Sequence, residues 1–412
     1  MTTHTGHGFR VLGLLSGTSV DGIDVAVADL RADGDTVVLT PLGELDVPYA
    51  EELRDGLLGA LPPRPSSAEQ LTVLDTLVGQ AFAEAARLGI ERYGPVDVIA
   101  SLGQTVYHWV SGGVALGTLQ LGQPAWIAER TGVPVIADLR IRDITAGGQG
   151  APLASTLDAL WLRGLAEETG RPVAALNLGG IANITVVGSK TGTADTAGTA
   201  VLAYDTGPAN ALLDLAAARV TAGAQHADFD GALALAGTVR PDLLDRLLAD
   251  PYFAAAPPKS TGKEHFHSGY LDTALDGLPP LSAEDLLATL TELTAVTVAA
   301  ECRRHGAATV VASGGGIANP AVMAALARRL PGVALRTSDD LGLPGAGKEA
   351  YLTTLLGWLS WCGVPATLPS ATGARGPRLL GALTPGAGPL NLPAPLGGTV
   401  TRLRVAEVGA RR

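Results

Sequence analysis

Cysteine and aromatic residues are scarce in this chain of 412 residues, and each scarcity excludes a class of protein. Two cysteines, Cys302 and Cys362, are too few for a disulfide framework or a thiolate metal cage. Aromatic residues make up 4% of the sequence, so the core must be built mainly from Ala, Val, Leu and Ile. A small disulfide-rich scaffold and a cysteine-based zinc protein are both excluded.

Positive charge and long apolar runs are scarce as well. The chain has 29 basic and 40 acidic residues, a net charge of −11 and no dense Lys/Arg block. A protein that neutralises many phosphates of a duplex needs the opposite balance, so we expect no nucleic-acid partner. The apolar run Val11–Leu15 ends at once in Ser16, and no later stretch is long enough for a membrane span. We therefore expect no membrane partner and a cytoplasmic location.

Apolar strands alternate with amphipathic helices through most of the chain, which is typical of an α/β fold. The predicted strands Val11–Leu15 and Ile23–Leu30 flank one glycine-containing turn. The predicted strands Val173–Leu178 and Ile184–Val187 flank a second such turn. Two halves that each begin with a glycine hairpin suggest two lobes that grip a phosphate between them.

The predicted boundaries follow from a Gly-rich stretch near residue 150 and from a Gly/Pro-rich tail. We place the N-terminal lobe at residues 1–150 and the C-terminal lobe at residues 151–364. The tail, about residues 365–412, either stays separate or returns to the first lobe. Capping boxes predict a helix from Ser67 to about Arg87 and another from Ser282 to about Arg304.

The segment Gly17-Thr18-Ser19-Val20-Asp21-Gly22-Ile23-Asp24 has the composition of a phosphate-binding turn. Its glycines let backbone N–H groups converge on an anion, and its hydroxyls add donors. Its carboxylates can hold Mg²⁺, usually through water. An ordinary Asp-Gly hairpin turn explains Asp21-Gly22 equally well.

Two further segments lie where a predicted strand meets a predicted helix, the position at which open α/β sheets bind ligands. Asp205 follows the apolar run Val201–Tyr204 and can be a general base or only a helix N-cap. Gly314, Gly315 and Gly316 follow another strand. They would let a nucleotide base and ribose lie flat against the backbone, or they form a plain tight turn.

Three patterns resemble known motifs but fail on inspection. Residues 342–349 fit GxxxxGK, yet Glu349 stands where a P-loop needs Ser or Thr. Residues 260–263 fit SxxK and residues 190–192 fit KTG, in the wrong order for a penicillin-recognising enzyme. His265 and His267 have no third ligand nearby, so a solvated loop is favoured over a metal site.

Eight blocks spread over nearly the whole chain carry a family resemblance. They are GLLSGTSVDGIDVAVADL from Gly13, LGQTVYH from Leu102, TLQLGQPAWIAERTGVPVIADLRIRDITAGGQGAPL from Thr118, NLGGIANIT from Asn177, YDTGPANALLD from Tyr204, DPYFAAAPPKSTGKEHF from Asp250, ASGGGIANP from Ala312 and GLPGAGKEA from Gly342. In order and spacing they resemble the anhydro-N-acetylmuramic acid kinase family, a branch of the superfamily that contains sugar kinases and actin.

The resemblance implies an α/β fold with two RNase H-like (actin/hexokinase-type) lobes and a central cleft. It implies an ATP- and Mg²⁺-dependent enzyme of peptidoglycan (cell-wall) recycling. Such an enzyme adds water to C1 of 1,6-anhydro-N-acetylmuramic acid and phosphorylates the freed O6. The products are N-acetylmuramic acid 6-phosphate and ADP. Relatives often pair, so a homodimer is also implied.

The resemblance also implies roles for individual residues. Asp205 matches the catalytic base, and Glu349 matches an acidic residue near the sugar that helps to order the water. Asp21 and Asp24 are the implied Mg²⁺ carboxylates. The implied nucleotide-binding residues are Gly17, Thr18, Ser19, Val20, Asp21, Gly22, Ile23, Asp24, Asn177, Gly179, Gly180, Gly314, Gly315, Gly316 and Asn319. The implied substrate residues are Gln104, Arg140, Arg142 and Asp143, of which an arginine could pair with the lactyl carboxylate.

Three positions depart from the family pattern. Leu102 stands where many relatives have His, Leu139 replaces a common Phe, and Ala209 replaces a Gly. Ala209 would be strained by about 1–2 kcal/mol if that backbone needs a positive φ. Two alternatives therefore stay open: a kinase of the same superfamily for a different amino sugar, and a nucleotide-binding module that changes shape without phosphorylating anything. The acid pair Asp205 and Glu349 argues against the second.

Overall fold

The computed structural model describes residues 8–17, 19–188, 193–194, 200–257 and 259–407. The chain divides into two compact units: unit 1 contains Met1–Trp161 and Gly347–Arg412, and unit 2 contains Leu162–Ala346. The first limit lies beyond the predicted boundary at residue 150, and the second lies before the one predicted at residue 364. Within the described ranges, no helix is both long and apolar enough to cross a bilayer.

The strands form two sheets, one in each unit. In chain order they are β1 (Phe9–Ser16), β2 (Gly22–Asp33), β3 (Thr36–Pro48), β4 (Val98–Ser111), β5 (Val114–Leu121), β6 (Val135–Ala137), β7 (Val173–Leu178), β8 (Ile181–Val187), β9 (Thr193–Ala194), β10 (Ala200–Pro208), β11 (Thr309–Ser313), β12 (Ala334–Thr337), β13 (Ala382–Thr384) and β14 (Arg402–Val405).

The helices precede, follow or connect these strands. They are α1 (Glu51–Ala60), α2 (Ala68–Tyr93), α3 (Pro124–Thr131), α4 (Ile141–Thr145), α5 (Ala154–Thr169), α6 (Asn210–Val220), α7 (Ala232–Ala236), α8 (Pro241–Leu248), α9 (Pro251–Ala254), α10 (Ser268–Leu275), α11 (Ala283–His305), α12 (Pro320–Arg329), α13 (Lys348–Trp361) and α14 (Pro369–Thr372).

The two sheets share one topology. The sheet of unit 1 contains the order β3-β2-β1-β4-β6, and the sheet of unit 2 contains β10-β8-β7-β11-β12. In each, the first three strands are antiparallel neighbours, and the first strand in sequence pairs parallel with the strand beyond it. The predicted α/β class with two related lobes is therefore confirmed.

The C-terminal part of the chain belongs to unit 1. Helix α13 packs against β1, β2 and β4. Gly13 of β1 is required there, because a Cβ at this position would lie 2.8 Å from the Thr354 backbone nitrogen. Strand β13 pairs with β6, and β14 pairs with β3. The tail thus extends the first sheet at both edges.

The predicted helix starts are confirmed by their caps. The Ser67 hydroxyl accepts a 3.0 Å hydrogen bond from the Gln70 N–H at the start of α2. The Ser282 hydroxyl accepts a 3.0 Å bond from the Asp285 N–H at the start of α11. These bonds satisfy donors that the first helical turn leaves unpaired. Helix α2 runs further than predicted, to Tyr93, and ends at Gly94.

Candidate functional site

The first glycine turn joins β1 to β2 in unit 1. The Val20 N–H donates to the Gly17 carbonyl over 3.2 Å. Val20 has a φ of 54°, which is rare for a β-branched residue, and its side chain is buried. Such strain persists where the surrounding structure over-determines the backbone, and it is concentrated at ligand-binding sites. Thr18 lies outside the described residues.

Gln104 holds this turn from β4. Its side chain is 1% exposed, and its Nε2 donates to the Gly17 carbonyl over 3.2 Å. Its Oε1 lies 2.6 Å from the Ser16 hydroxyl, which also lies 2.6 Å from the Gly22 carbonyl. Gln104, predicted as a substrate contact, is thus engaged within the protein, where it fixes the turn.

The other residues of the turn offer different groups. The side chains of Val20 and Ile23 lie in the hydrophobic core of unit 1, so only their backbone groups are available to a ligand. Gly22 is required by close packing, because a Cβ there would lie 2.7 Å from the Val47 carbonyl oxygen. Asp21 is exposed, and its Oδ1 accepts a 2.9 Å hydrogen bond from the Ser19 hydroxyl.

Negative charge is concentrated at the start of β2. Asp24 lies opposite Asp46 in the β2–β3 pairing. Burial, together with the charges of Asp46, Glu349 and Asp21, raises the pKa of Asp24 to about 7. Glu349 is exposed in the first turn of α13. A cation that neutralised these carboxylates would relieve their mutual repulsion.

Asp21 and Asp24 offer carboxylate oxygens, which are ligands that Mg²⁺ takes in proteins. Mg²⁺ usually takes one or two protein carboxylates and fills its other positions with water and phosphate oxygens. In the described part of the chain, no group of three or more His, Cys, Asp or Glu side chains could hold a metal ion alone. Asp21 and Asp24 supply two carboxylates, so water and phosphate oxygens would have to fill the other positions of such an ion.

The predicted substrate residues at α4 differ in exposure. Arg142 is exposed. Arg140 donates from Nη1 to the Gly150 carbonyl over 2.9 Å; burial lowers its pKa, and the Glu349 carboxylate opposes this shift. Asp143 is 0% exposed and accepts 2.7 Å hydrogen bonds from the Gly150 N–H and the Thr372 hydroxyl. Asp143 therefore organises the loop after α4 from inside the protein.

Leu102 is buried in the wall of a cavity of about 530 Å³. Gly103, Gln120, Trp126 and Asp138 also line this cavity. Asp138 has a φ of 55°, and burial raises the pKa of its carboxyl. Leu102 thus presents an apolar surface to this cavity.

Asp205 lies in unit 2, within β10. The β10–β8 register shifts between Asp205 and Gly207, which forms an irregularity of the kind that re-aims a side chain beside a site. Helix α6 begins five residues later, at Asn210, with Ala209 as its N-cap. The alternative that Asp205 is only an N-cap is therefore wrong.

The segment of residues 259–261 holds Asp205 in place. The Ser260 hydroxyl and the Thr261 N–H each donate a 3.0 Å hydrogen bond to Asp205 Oδ2. The Asp205 N–H donates to the Lys259 carbonyl over 3.1 Å. The Asp205 carbonyl accepts a 2.7 Å bond from the Tyr252 hydroxyl. Ser260 and Thr261 stood out in the sequence only as part of an SxxK pattern, and their bonds to Asp205 were not predicted.

The electrostatics of Asp205 suit a base. Burial raises the pKa of its carboxyl, the bonds from Thr261 and Ser260 oppose that rise, and Glu264 adds to it. A base works best when its pKa is near the working pH, and a carboxyl reaches that range only through burial or nearby negative charge.

The second glycine hairpin joins β7 to β8, with Asn177 opposite Asn183 in the register. The Gly179 carbonyl accepts a 3.1 Å bond from the Asn210 N–H, and the Gly180 carbonyl accepts a 3.0 Å bond from the Ala209 N–H. These bonds tie the turn to the start of α6. A Cβ on Gly180 would lie 3.1 Å from Lys263 Cε and 3.9 Å from its Nζ. The cationic side chain of Lys263, for which the sequence predicted no role, therefore lies over this turn.

The glycine run after β11 packs against the same hairpin. Gly314 has a φ of 84°, and a Cβ there would overlap the Asn177 amide oxygen. A Cβ on Gly316 would lie 2.6 Å from Leu178 Cβ. Gly315 is exposed, with its nearest neighbour 4.0 Å from a Cβ position, so it can offer open backbone to a flat ligand. Asn319 caps α12 by accepting bonds from the next two available N–H groups.

The structure also bears on the sequence expectations for Ala209, for Lys348 and for two histidines. Ala209 has a φ of −127°, so the positive-φ strain considered for this alanine is absent. Lys348 is buried in an ion pair of 2.7 Å with Asp158, whereas the lysine of a P-loop directs its ammonium at the nucleotide's phosphates. His265 lies 2.8 Å from Asp250, and His267 accepts a 3.0 Å bond from the Gly269 N–H. Both histidines thus have roles in their own loop.

Comparison with known proteins gives a consistent result. A family model described as anhydro-N-acetylmuramic acid kinase matches residues 9–386. A relative from Streptomyces coelicolor with that name is 52% identical over 96% of this chain and 99% of its own length. One from Streptomyces avermitilis is 55% identical over 93% of this chain and 96% of its own.

Solved structures give only a distant likeness. A glucokinase of the ROK family from Streptomyces griseus, in complex with glucose and AMPPNP, is 14% identical over 84% of this chain and 99% of its own length, with a TM-score of 0.35. A likeness at that level carries no functional conclusion. The assignment depends instead on the family model and on relatives that share more than half of their aligned residues with this chain. The chain therefore belongs to the anhydro-N-acetylmuramic acid kinase family, and it is a phosphotransferase.

Proposed function

We propose that this enzyme hydrolyses the anhydro bridge of 1,6-anhydro-N-acetylmuramic acid with Asp205 as base and transfers the γ-phosphoryl group of ATP to O6. The products are N-acetylmuramic acid 6-phosphate and ADP, and the reaction belongs to cell-wall recycling in the cytoplasm. The observation that carries the assignment of the base is the geometry at Asp205: a half-buried carboxylate at a strand irregularity, with one oxygen held by two donors.

Asp205 would activate the attacking water. The bonds from Ser260 and Thr261 occupy Oδ2, which leaves Oδ1 to take the proton. As the water oxygen bonds to C1, the C1–O6 bond breaks and O6 takes the phosphoryl group from ATP. Glu349 would help to order the water, as the family resemblance implies. In-line placement of O6 and the γ-phosphorus is then mainly a problem of positioning.

Each glycine turn would offer donors to phosphate in its own unit. Backbone N–H groups of the β1–β2 turn and of the β7–β8 turn would supply neutral donors, and Lys263 would add a positive charge at the second turn. Gly315 would offer open backbone to the adenosine. Asp21 and Asp24 would hold Mg²⁺, which spreads the negative charge that develops on the transferred group.

The predicted substrate residues divide into direct and indirect roles. Arg142 is exposed and would pair with the lactyl carboxylate, while Arg140 adds positive charge near Glu349. Gln104 and Asp143 would act through the backbone they hold.

The apolar wall at Leu102 supports the second candidate, a kinase for a different amino sugar. A homodimer, implied by the resemblance, is part of the same proposal, and light scattering tests it.

The proposal is tested by running the reaction in ¹⁸O-labelled water. We expect a product with one added phosphate and one label at C1. Asp205→Asn should abolish turnover while ATP still binds, because the amide cannot accept the proton. Turnover retained in this variant would reject Asp205 as the base. A panel of the anhydro sugar, N-acetylmuramic acid and N-acetylglucosamine decides between the two sugar-kinase candidates.

A further inference from the structure

A buried ion pair lies next to Asp205 in unit 2. Lys259 Nζ is 3.2 Å from Glu301 Oε1, and the two side chains are only 5% and 4% exposed. We propose that the Lys259–Glu301 pair is a positioning device for the Asp205 carboxylate. This inference rests on the proposed role of Asp205 as base.

Lys259 fixes the backbone on which Asp205 depends. Its ammonium also donates to the Tyr252 carbonyl over 3.2 Å and to the Phe253 carbonyl over 3.3 Å. An ammonium has three donors, and Glu301 with these two carbonyls accounts for all of them. The Lys259 carbonyl and the Tyr252 hydroxyl in turn bind the Asp205 N–H and carbonyl. Both backbone groups of Asp205 are therefore bonded to residues that the ammonium holds together.

Glu301 reaches the same strand from the other direction. Its Oε2 lies 2.9 Å from the Tyr204 hydroxyl, and Tyr204 directly precedes Asp205 on β10. Arg304 also pairs with this oxygen over 2.9 Å. Glu301 thus connects helix α11 to the strand at residue 204 and, through Lys259, to the segment that binds residue 205.

A buried ion pair is a poor way to gain stability, because desolvation of the two charges offsets their attraction. It is a good way to define one geometry, since the charged groups must meet several partners at fixed positions. Here the geometry that it defines is the position of Ser260 and Thr261, the two donors to Asp205 Oδ2.

The test compares three variants with the wild-type enzyme. Lys259→Met alone leaves Glu301 charged but without its lysine partner. The double variant Lys259→Met/Glu301→Gln removes both charges and is therefore measured beside it. In both variants we expect kcat to fall about 10²-fold through misplacement of the base, with KM for ATP unchanged. The acidic limb of the pH–rate profile should move to higher pH, because the donors that hold down the pKa of Asp205 are displaced.

Glu292→Gln is the matched control. Glu292 is a buried carboxylate on the same helix α11, and it pairs with Arg328 over 3.2 Å and with Arg329. This variant also loses a buried charge, but neither of the two ion pairs of Glu292 involves residues 259–261 or 205. We expect it to lower thermal stability without moving the acidic limb. A double variant that keeps the wild-type kcat and pH profile, or a Glu292→Gln enzyme that shifts the limb equally, would overturn the inference.

Hydrogen exchange separates this inference from the proposed function, because it needs no turnover. The Asp205 and Thr261 N–H groups should exchange faster in the Lys259 variants and at the wild-type rate in Glu292→Gln. Unchanged protection in the double variant rejects the positioning role. A wild-type enzyme that fails to phosphorylate the anhydro sugar rejects the proposed function, whatever the exchange data show.

Discussion

Replacement of Asp143 by Ala distinguishes a structural role from a substrate-binding role for this residue. The sequence predicts that Asp143 contacts the substrate, whereas the structure buries its carboxylate completely. One oxygen accepts from the Gly150 N–H and the other from the Thr372 hydroxyl, each over 2.7 Å. The alanine variant would leave both donors without their acceptor.

The expected magnitude follows from these two bonds. A hydrogen bond to a charged group is worth about 1.5–3 kcal/mol, so two are worth about 3–6 kcal/mol. The alanine variant also no longer bears the desolvation cost of the buried carboxylate, which offsets part of this loss. We therefore expect a net loss of about 3–4 kcal/mol in the free energy of unfolding. Asp143→Asn should lose only about 1–2 kcal/mol, because its amide can accept from Gly150 and donate to the Thr372 oxygen.

Denaturant unfolding and steady-state kinetics on the same samples check this prediction. The exposed neighbour provides the control: Arg142→Ala should change stability by less than about 0.5 kcal/mol but raise KM for the sugar. An Asp143→Ala enzyme that unfolds at the wild-type midpoint while its KM for the sugar rises would refute the structural role.

Two further predictions concern the charges at the glycine turns. Lys263→Met should weaken ATP and ADP binding about tenfold, or about 1.4 kcal/mol, and leave adenosine binding unchanged. Replacement of the exposed Arg171 of the same unit by Met is the control. Equal effects of Lys263→Met on all three ligands would contradict the prediction. Asp24, with a pKa of about 7, should release roughly half a proton when Mg²⁺ binds at pH 7, and less at pH 8. Because the folded pKa is raised from 3.8 to about 7, the cost of this carboxyl to the metal-free fold grows as the pH rises between these two values, is full above about pH 7, and is absent only below the unfolded value. Asp46→Asn should reduce both the proton release and the loss of stability. Calorimetry in buffers of different ionisation heat measures the proton release. Equal release at pH 6 and pH 8 would contradict the raised pKa of Asp24.

Much of the secondary structure could be predicted from local pattern. The limits of β7, α3 and α13 agree with the apolar runs and the Pro, Gly and Lys residues that bound them. Strands β3, β5, β9, β12, β13 and β14 were not predicted. Strands β12, β13 and β14 are three or four residues long and only partly buried, and such short segments carry no clear period. Their pairing partners, rather than their own sequences, make them strands.

The sequence alone determined the family, the two glycine hairpins and the acid at residue 205, because each is a contiguous string whose composition has a chemical meaning. Tertiary structure decided that Asp143 is a buried loop anchor, that Asp24 faces Asp46, and that Ser260 and Thr261 bind Asp205. These contacts join residues 22 to 229 positions apart, or groups whose burial only packing sets. Local sequence pattern shows which chemical groups lie next to one another along the chain. Strand register and tertiary packing decide which distant groups come into contact.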